Sequence, residues 1–299
     1  MEKVFITGAT GFIGNAVAHF CLAQGSETHV LMRSPASKQH FPPGITAHLT
    51  DGSLDSLRLA LERARPDTVF HIASLFLANH EPAQAGPLVA SNILFGTHLL
   101  EAMALTGCTK LVNTGTSWQH FATPDYRPVN LYAATKQAFE DIVCYYHQVF
   151  GLSCVTLKLF DTFGPGDTRR KLVNILMEAA QTGAVLEMSP GEQIIDICYI
   201  DDIVTAYAQA ARLLDTADEP VLDDYFVSGE RLTLRRLVEV VGSTLGREIN
   251  ARFGARPYRE REVMLPVMPG ERRLPGWQPR YGLSDGIRLL AGASAARER

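Results

Sequence analysis

Short apolar runs alternate with helical patterns along the first 160 residues of the chain. Residues 4–6 and 29–32 are rich in β-branched, aromatic and aliphatic side chains, which is typical of strands buried on both faces. Between such runs, apolar residues recur every three or four positions, as in the helix predicted from Leu131 to Phe150 and ended by Gly151. This alternation predicts an α/β fold, a doubly wound parallel sheet that binds ligands at the carboxyl ends of its strands.

Three glycines follow the first predicted strand and open a helical pattern. A strand–turn–helix of this kind lets the backbone approach a pyrophosphate, while the free N–H groups of the first helical turn face its negative charge. The pattern predicts a dinucleotide-binding turn, and a simple tight turn is the alternative. The predicted contacts are Gly8, Thr10, Gly11, Phe12, Ile13 and Gly14.

Arg33 follows the second predicted strand, at the position that faces the adenosine ribose. An acidic residue there would bind a free 2′-hydroxyl, whereas a cation accommodates a 2′-phosphate. Arg33 therefore favours NADP(H) over NAD(H), and the alternative is an exposed arginine without a ligand. Asp51 and Gly52, which follow the third predicted strand, are expected to contact the adenine.

Tyr132 and Lys136 lie one helical turn apart, so both side chains are predicted on the same face of a helix. A nearby lysine cation favours phenolate over phenol, and we expect it to lower the pKa of the tyrosine. The tyrosine can then donate a proton to a ketone or accept one from an alcohol. The spacing alone also occurs in ordinary surface helices, but the preceding dinucleotide-binding turn favours the catalytic interpretation.

Eight segments, in order along most of the chain, resemble the motifs of one enzyme family. They are TGATGFIG (residues 7–14), HIAS (71–74), the helix around Asn92, NTGT (113–116), YAATK (132–136), KLFDTFGP (158–165), DICYIDD (196–202) and LPGWQP (274–279). The chain is similar to the extended short-chain dehydrogenase/reductases, which include nucleotide-sugar epimerases, dehydratases and ketoreductases. The resemblance implies a Rossmann-type domain over residues 1–162, completed by 194–228, and a smaller α/β substrate lobe from residues 163–193 and 229–299.

The resemblance also implies the roles of further residues. Cofactor contacts are expected, besides those above, from Ala73, Ser74, Asn92, Thr114, Tyr132, Lys136 and Phe160. The alternatives to a cofactor contact for Asn92 are a structural role and a place in a water relay to Lys136. Substrate contacts are expected from Ser74, Thr116, Trp118, Tyr132, Asp161, Lys171 and Asn174.

The residues around Thr116 narrow the expected reaction. Its hydroxyl would bind the ketone oxygen beside Tyr132, with Thr114 as the rival for this role. The family's dehydratases carry an Asp-Glu pair next, where this chain has Ser117 and Trp118, so we expect no dehydration. Reduction by NADPH is favoured, with Tyr132 as the proton donor. Residues 114–119 and 130–136 resemble the reductases that form CDP-3,6-dideoxyhexoses, which implies a CDP- or dTDP-4-keto-6-deoxyhexose substrate.

Two departures from the family pattern leave other functions open. Asp161 stands where the family has an asparagine, and Ile195 where an arginine usually binds phosphate. Candidates to replace that arginine are Arg169, Arg170, Lys171, Arg259 and Arg261. The alternatives are a nucleotide-sugar epimerase, a reductase of a small ketone or aldehyde, and a non-catalytic dinucleotide sensor. Sensors of this fold usually lack the tyrosine or the lysine, and both are present here.

Composition limits the expected partners and location. The net charge of −4 disfavours a nucleic-acid surface. We expect no apolar run long enough to span a membrane, no histidine spacing indicates a metal site, and five scattered cysteines indicate reduced thiols in a cytoplasmic protein. By resemblance, residues 92–105 and the helix Leu131–Phe150 are expected to form a homodimer interface.

Overall fold

A seven-stranded sheet, parallel throughout, dominates the computed structural model, which describes residues 2–268 and 272–297. In sheet order its strands are β10 (Leu222–Val227), β6 (Ser153–Leu159), β5 (Lys110–Thr116), β4 (Thr68–His71), β1 (Lys3–Thr7), β2 (Glu27–Met32) and β3 (Ile45–Leu49). From β1 the chain winds outward first to β2 and β3 and then, through β4, in the opposite direction. Loops diverge at this reversal and leave a crevice at the carboxyl ends of β1 and β4. The predicted doubly wound sheet is confirmed.

Helices cover both faces of this sheet. One face carries α1 (Phe12–Ala23) and α7 (Ile200–Thr216), and the other carries α2 (Leu54–Ala64), α4 (Phe95–Thr106) and α5 (Leu131–Phe150). Within β1, Val4 and Ile6 pack on the face that carries α1 and α7. Phe5 packs on the opposite face, against α2, α4 and α5. Strands buried on both faces need apolar residues at every position, which explains their unbroken apolar runs.

A helical segment from Pro82 to Thr106 is long and apolar enough to cross a membrane by length and composition alone. The expectation that no segment reaches that length was therefore wrong. The segment comprises a 3₁₀ turn (Pro82–Gln84), α3 (Ala85–Val89), a π-helical turn (Ala90–Leu94) and α4. Leu99 and Met103 are fully buried in the core shared with α2 and α5, so packing inside the protein accounts for much of its apolar character.

Two small sheets and three helices form the remainder of the described chain. The elements are β7 (Asp161–Phe163), α6 (Leu172–Thr182), β8 (Leu186–Met188), β9 (Ile194–Tyr199), β11 (Glu230–Thr233), α8 (Leu234–Leu245), β12 (Ala251–Phe253) and α9 (Leu283–Arg297). β9 lies between β7 and β11, and β8 pairs with β12. Only Phe160 separates β6 from β7, so the second lobe begins at the end of a central strand. The domain division at residues 162 and 194–228 remains a proposal, since α7 and β10 pack with the large sheet but β9 pairs in the small one.

Candidate active site

A cleft of about 1120 Å³ opens at the carboxyl ends of the central strands. Its walls include all but two of the residues predicted to bind cofactor or substrate. Those present are Gly8, Thr10, Gly11, Phe12, Ile13, Gly14, Arg33, Asp51, Gly52, Ala73, Ser74, Thr114, Thr116, Trp118, Tyr132, Lys136, Phe160, Asp161 and Lys171. Asn92 and Asn174 are absent from its described walls. The closely spaced glycines and Tyr132 therefore lie in one cleft, although they are far apart in the sequence.

The turn between β1 and α1 is shaped by backbone contacts that only glycine permits. Gly8 has φ +72°, and a Cβ on it would lie 2.5 Å from the backbone nitrogen of Ala73. A Cβ on Gly14 would lie 2.3 Å from the carbonyl oxygen of Gly8. The N-cap of α1 is Gly11, which has no side chain to bond the N–H groups of the first turn. The residues of this first turn line the cleft, so the turn fits the pyrophosphate of a dinucleotide.

Arg33 and Asp51 line the end of the cleft next to β2 and β3. The Arg33 side chain is exposed, and no carboxylate of the described residues pairs with it. Asp51 accepts hydrogen bonds from the Ser53 hydroxyl (2.6 Å) and the Ser53 backbone N–H (2.9 Å). These bonds lower the pKa of Asp51 to about 2, so the carboxylate stays ionised. This end of the cleft thus offers one free cation and one fixed anion.

Tyr132, on the first turn of α5, is buried beside the cleft. Burial raises the pKa of its phenol to about 12, while a hydrogen bond with Ser74 and the charge of Arg169 oppose the shift. The expectation that Lys136 would lower this pKa was wrong for this structure. Desolvation disfavours the phenolate, and the lysine Nζ lies 5.9 Å from the centre of the ring. Tyr132 is therefore a neutral phenol with a proton to give.

Lys136, one turn further along α5, is almost fully buried. Burial lowers its pKa to about 8, and the negative charge of Glu140 opposes this shift. Burial, with a smaller effect of the same lysine charge, lowers the pKa of His71 to about 3, so this histidine is neutral. A lysine that is charged at neutral pH and held beside the phenol can stabilise the phenolate left after proton donation.

Thr114 and Thr116 both line the cleft, but their hydroxyl groups differ in what they can donate. Thr114 donates its proton to the carbonyl oxygen of His71 at 2.8 Å and also contacts the Tyr207 hydroxyl at 2.6 Å. Thr116 accepts a hydrogen bond from the Trp118 N–H at 3.3 Å. A hydroxyl carries one proton, and that of Thr116 remains available to a substrate oxygen. The structure thus distinguishes two residues that the sequence left as rivals.

Asn92 lies in the π-helical turn and is buried behind the cleft. It bonds both backbone groups of Leu75, at 2.7 and 3.0 Å, and donates to Thr135 at 3.0 Å. Ser74 also donates to its Oδ1 at 3.2 Å, so both sides of the amide are occupied, which supports a structural role over the predicted cofactor contact. Asn174 likewise donates to the carbonyl oxygens of Asp167 and Arg169, both at 2.9 Å, instead of lining the main cleft.

Phe76 is a cleft residue that the sequence reasoning missed. Its ring stands edge-on to Tyr132, with centroids 5.0 Å apart, and lies 5.7 Å from Trp118. The three rings form an aromatic wall of the cleft beside Tyr132. Two positions after the end of the HIAS segment, Phe76 falls in a loop without periodicity, so only its distance from a known motif could have indicated it.

Basic residues from the segment before α6 complete this side of the cleft. Lys171 lies 3.6 Å from Asp161 and 5.2 Å from the centre of the Phe76 ring. Because Lys171 neutralises the charge of Asp161, the repulsion expected between this carboxylate and an anionic substrate is reduced. Arg169 forms a two-pronged ion pair with Asp167, and Arg170 pairs with Glu178 at 3.1 Å.

Arg259 and Arg261 do not reach the described wall of the cleft. Arg261 donates to the carbonyl oxygens of Pro128 and Val129, and Arg259 pairs with Glu262. Of the candidates for the missing phosphate contact, the structure thus brings Arg169, Arg170 and Lys171 to the cleft.

Within the described ranges no group of three His, Cys, Asp or Glu side chains is arranged to hold a metal ion.

Comparison with known proteins extends this description. The sequence model described as the NAD dependent epimerase/dehydratase family matches residues 4–223. The chain is 25% identical to the CDP-abequose synthase of Salmonella typhimurium over 97% of both chains. It is 27% identical to the dTDP-6-deoxy-L-talose 4-dehydrogenase (NAD(P)(+)) of Kitasatospora kifunensis, over 96% of this chain and 94% of that one. The UDP-glucose 4-epimerase of Thermus thermophilus, solved with NAD, superposes with a TM-score of 0.82 at 26% identity over 98% of both chains.

The family model covers well over half of the sequence, and the matched region contains the glycine turn, Thr116, Tyr132 and Lys136. The same residues meet in one cleft of the structure. The chain belongs to the NAD dependent epimerase/dehydratase family, the extended short-chain dehydrogenase/reductases, and is an NAD(P)-dependent enzyme of that family.

Proposed function

We propose that this enzyme uses NADPH to reduce the ketone of a nucleotide-activated sugar, a CDP- or dTDP-4-keto-6-deoxyhexose. The observation that carries the proposal is the protonated, buried phenol of Tyr132 in the same cleft as a dinucleotide-binding turn. A reductase needs a group that holds a proton until the hydride arrives, and a phenol with a raised pKa meets that need. The named activities of the two sugar-nucleotide relatives support the substrate class.

The side chains of the cleft suggest how the reaction proceeds. A nicotinamide bound in the cleft would supply the hydride to the carbonyl carbon. Tyr132 gives its proton to the carbonyl oxygen. The Thr116 hydroxyl donates a hydrogen bond to the same oxygen. The Lys136 cation lowers the cost of the phenolate that remains. Tyr132 regains its proton from solvent as the product leaves, and Lys136 stays charged throughout.

Arg33 supports the preference for NADPH. Its exposed guanidinium has no carboxylate partner in the described chain, so a 2′-phosphate would gain a charge-assisted contact without breaking an ion pair. Lys171 and Arg169 would meet the substrate diphosphate, exchanging Asp161 and Asp167 for phosphate oxygens. Ser117 and Trp118 line the wall where a dehydratase would carry its acid and base, which supports reduction over dehydration.

The direct test mixes the purified protein with NADPH and CDP-4-keto-6-deoxyglucose and follows absorbance at 340 nm. We expect loss of NADPH with formation of the 4-hydroxy sugar nucleotide, and little reduction of the same keto sugar without its nucleotide. Absence of NADPH consumption with CDP- and dTDP-linked substrates would reject the proposal.

A nucleotide-sugar 4-epimerase is the second candidate, because the similar Thermus thermophilus protein is named UDP-glucose 4-epimerase and was solved with NAD. An epimerase returns its hydride to the substrate and consumes no cofactor. Interconversion of UDP-glucose and UDP-galactose without added NADPH would favour this candidate.

We further propose a homodimer through α4 and α5. Large apolar side chains are exposed together at the ends of these helices, which is unusual for a surface facing only water. They are Leu105, Tyr145, Val149 and Phe150. A second copy of the chain would bury these residues by packing the same helices against each other.

A further inference from the structure

The loop formed by residues 74–78, between β4 and the Pro82–Thr106 segment, holds the catalytic tyrosine from the substrate side. Phe76 packs edge-on against the ring of Tyr132, with centroids 5.0 Å apart. The loop has no regular secondary structure, so its own backbone bonds do not fix it. The position of the Phe76 ring against Tyr132 therefore depends on what anchors the loop.

Two asparagine side chains provide that anchor. Asn92 bonds the N–H and the carbonyl oxygen of Leu75 at the start of the loop. Asn130 donates from Nδ2 to the carbonyl oxygens of Ala78 (2.9 Å) and Leu77 (3.4 Å) at its end. Phe76 lies between the two anchored points. Both asparagines come from elements that pack against the loop, the π-helical turn and the start of α5.

Asn130 also caps α5, the helix that carries Tyr132. Its Oδ1 accepts the N–H of Ala133 at 2.9 Å, which satisfies one of the free donors of the first turn. Serine, aspartate and asparagine cap helices about equally well, but only asparagine combines the acceptor with an N–H₂ donor. The cap alone therefore does not explain why this position holds asparagine.

We propose that Asn130 is a positioning residue that joins the start of α5 to the 74–78 loop and so sets Phe76 against Tyr132. One amide thereby fixes the distance between the phenol of Tyr132 and the ring of Phe76. The kinetic consequence rests on the proposed function, because it is measured with the keto-sugar substrate. Asn130 is not assigned any contact with the reacting atoms.

The test distinguishes the role of Asn130 as the N-cap of α5 from its role as the anchor of the 74–78 loop. Asn130→Ser keeps a cap but is too short to reach Ala78, and Asn130→Asp keeps the cap acceptor but has no donor. Both variants should unfold near the wild-type temperature. Amide hydrogen exchange at residues 75–78 should become about five- to tenfold faster, as expected for the loss of one hydrogen bond, with α5 unchanged. The affinity for NADPH should stay constant, while kcat/KM for the keto sugar falls about tenfold.

Thr233→Ala is the matched control, because Thr233 caps α8 through the N–H of Arg236 and does not belong to the cleft lining. It should lower the unfolding temperature without changing kcat/KM or loop exchange. A double variant with Phe76→Leu should lose no more activity than Phe76→Leu alone, since both changes act on the same wall.

Unchanged exchange at residues 75–78 in both Asn130 variants would overturn the proposal, as would an activity loss that follows only the unfolding temperature. Additive losses in the double variant would also contradict it. If the wild-type protein reduces no keto sugar nucleotide while loop exchange rises in Asn130→Ser, the proposed function fails and the anchoring role stands.

Discussion

Exchanging each of two threonines for valine tests which hydroxyl polarises the substrate ketone. Valine has nearly the same shape as threonine, so Thr116→Val and Thr114→Val remove a hydroxyl and little else. Thr116 has a free hydroxyl proton, whereas Thr114 donates its proton to the carbonyl oxygen of His71. Loss of the Thr116 hydroxyl should therefore affect catalysis, and loss of the Thr114 hydroxyl should affect folding stability.

The structure sets the size of both effects. Removing one donor to a developing oxyanion costs about 10²- to 10³-fold in kcat, so Thr116→Val should lose about 100-fold with a small change in stability. Thr114→Val leaves the buried His71 carbonyl and the fully buried Tyr207 hydroxyl without this partner. Such a loss costs about 1–3 kcal/mol of unfolding free energy. Its kcat should stay within about threefold of wild type, because no donor to the ketone is removed.

The assay measures kcat from NADPH consumption and the unfolding free energy from urea denaturation of the same preparations. The reasoning would be refuted if Thr114→Val lost the activity and Thr116→Val retained it. Equal losses in both variants, with no difference in stability, would show that hydrogen bonding in the cleft does not assign the roles.

Three other predictions follow from the same structure. Arg33→Ala should weaken NADPH binding about tenfold, measured by titration calorimetry, and leave NADH binding nearly unchanged; equal losses would contradict the 2′-phosphate contact. Oxidation of the product alcohol should rise by up to about tenfold per pH unit, because it needs the Tyr132 phenolate and the phenol has a pKa of about 12. Reduction should stay level up to pH about 8 and decline above it, where Lys136 loses its proton, so a reduction rate that rises with pH would be inconsistent. Val149→Glu should convert a dimer to a monomer in analytical ultracentrifugation; a wild-type monomer would exclude the proposed interface.

The parts of the site that follow from local sequence could be predicted, and the reason is geometric. The turn from Gly8 to Gly14 is built within one strand–turn–helix, and the helical spacing of Tyr132 and Lys136 fixes their common face. The ends of α5 and α6 also follow from local signals, since Gly151 and Gly183 adopt the left-handed backbone that ends a helix.

The remaining features depend on contacts between distant parts of the chain. Thr114 is distinguished from Thr116 by the carbonyl oxygen of His71, which lies 43 positions away in sequence. The Tyr132 pKa is raised because of burial, and the groups that oppose this shift are Ser74 and Arg169 rather than the lysine that the spacing suggested. Asn92 is absent from the described cleft wall, and its amide bonds the backbone of Leu75 in the loop after β4. No periodicity or motif marks these partners, so sequence reasoning could not assign them.

The most direct test of the central claim compares Tyr132→Phe with the wild-type protein under single-turnover conditions, with NADPH and the keto sugar nucleotide. The account predicts that the rate of the hydride-transfer step falls about 10²- to 10⁴-fold, as for loss of a general acid, while NADPH binds as before. A variant that turns over at nearly the wild-type rate would contradict the assignment of Tyr132 as the proton donor.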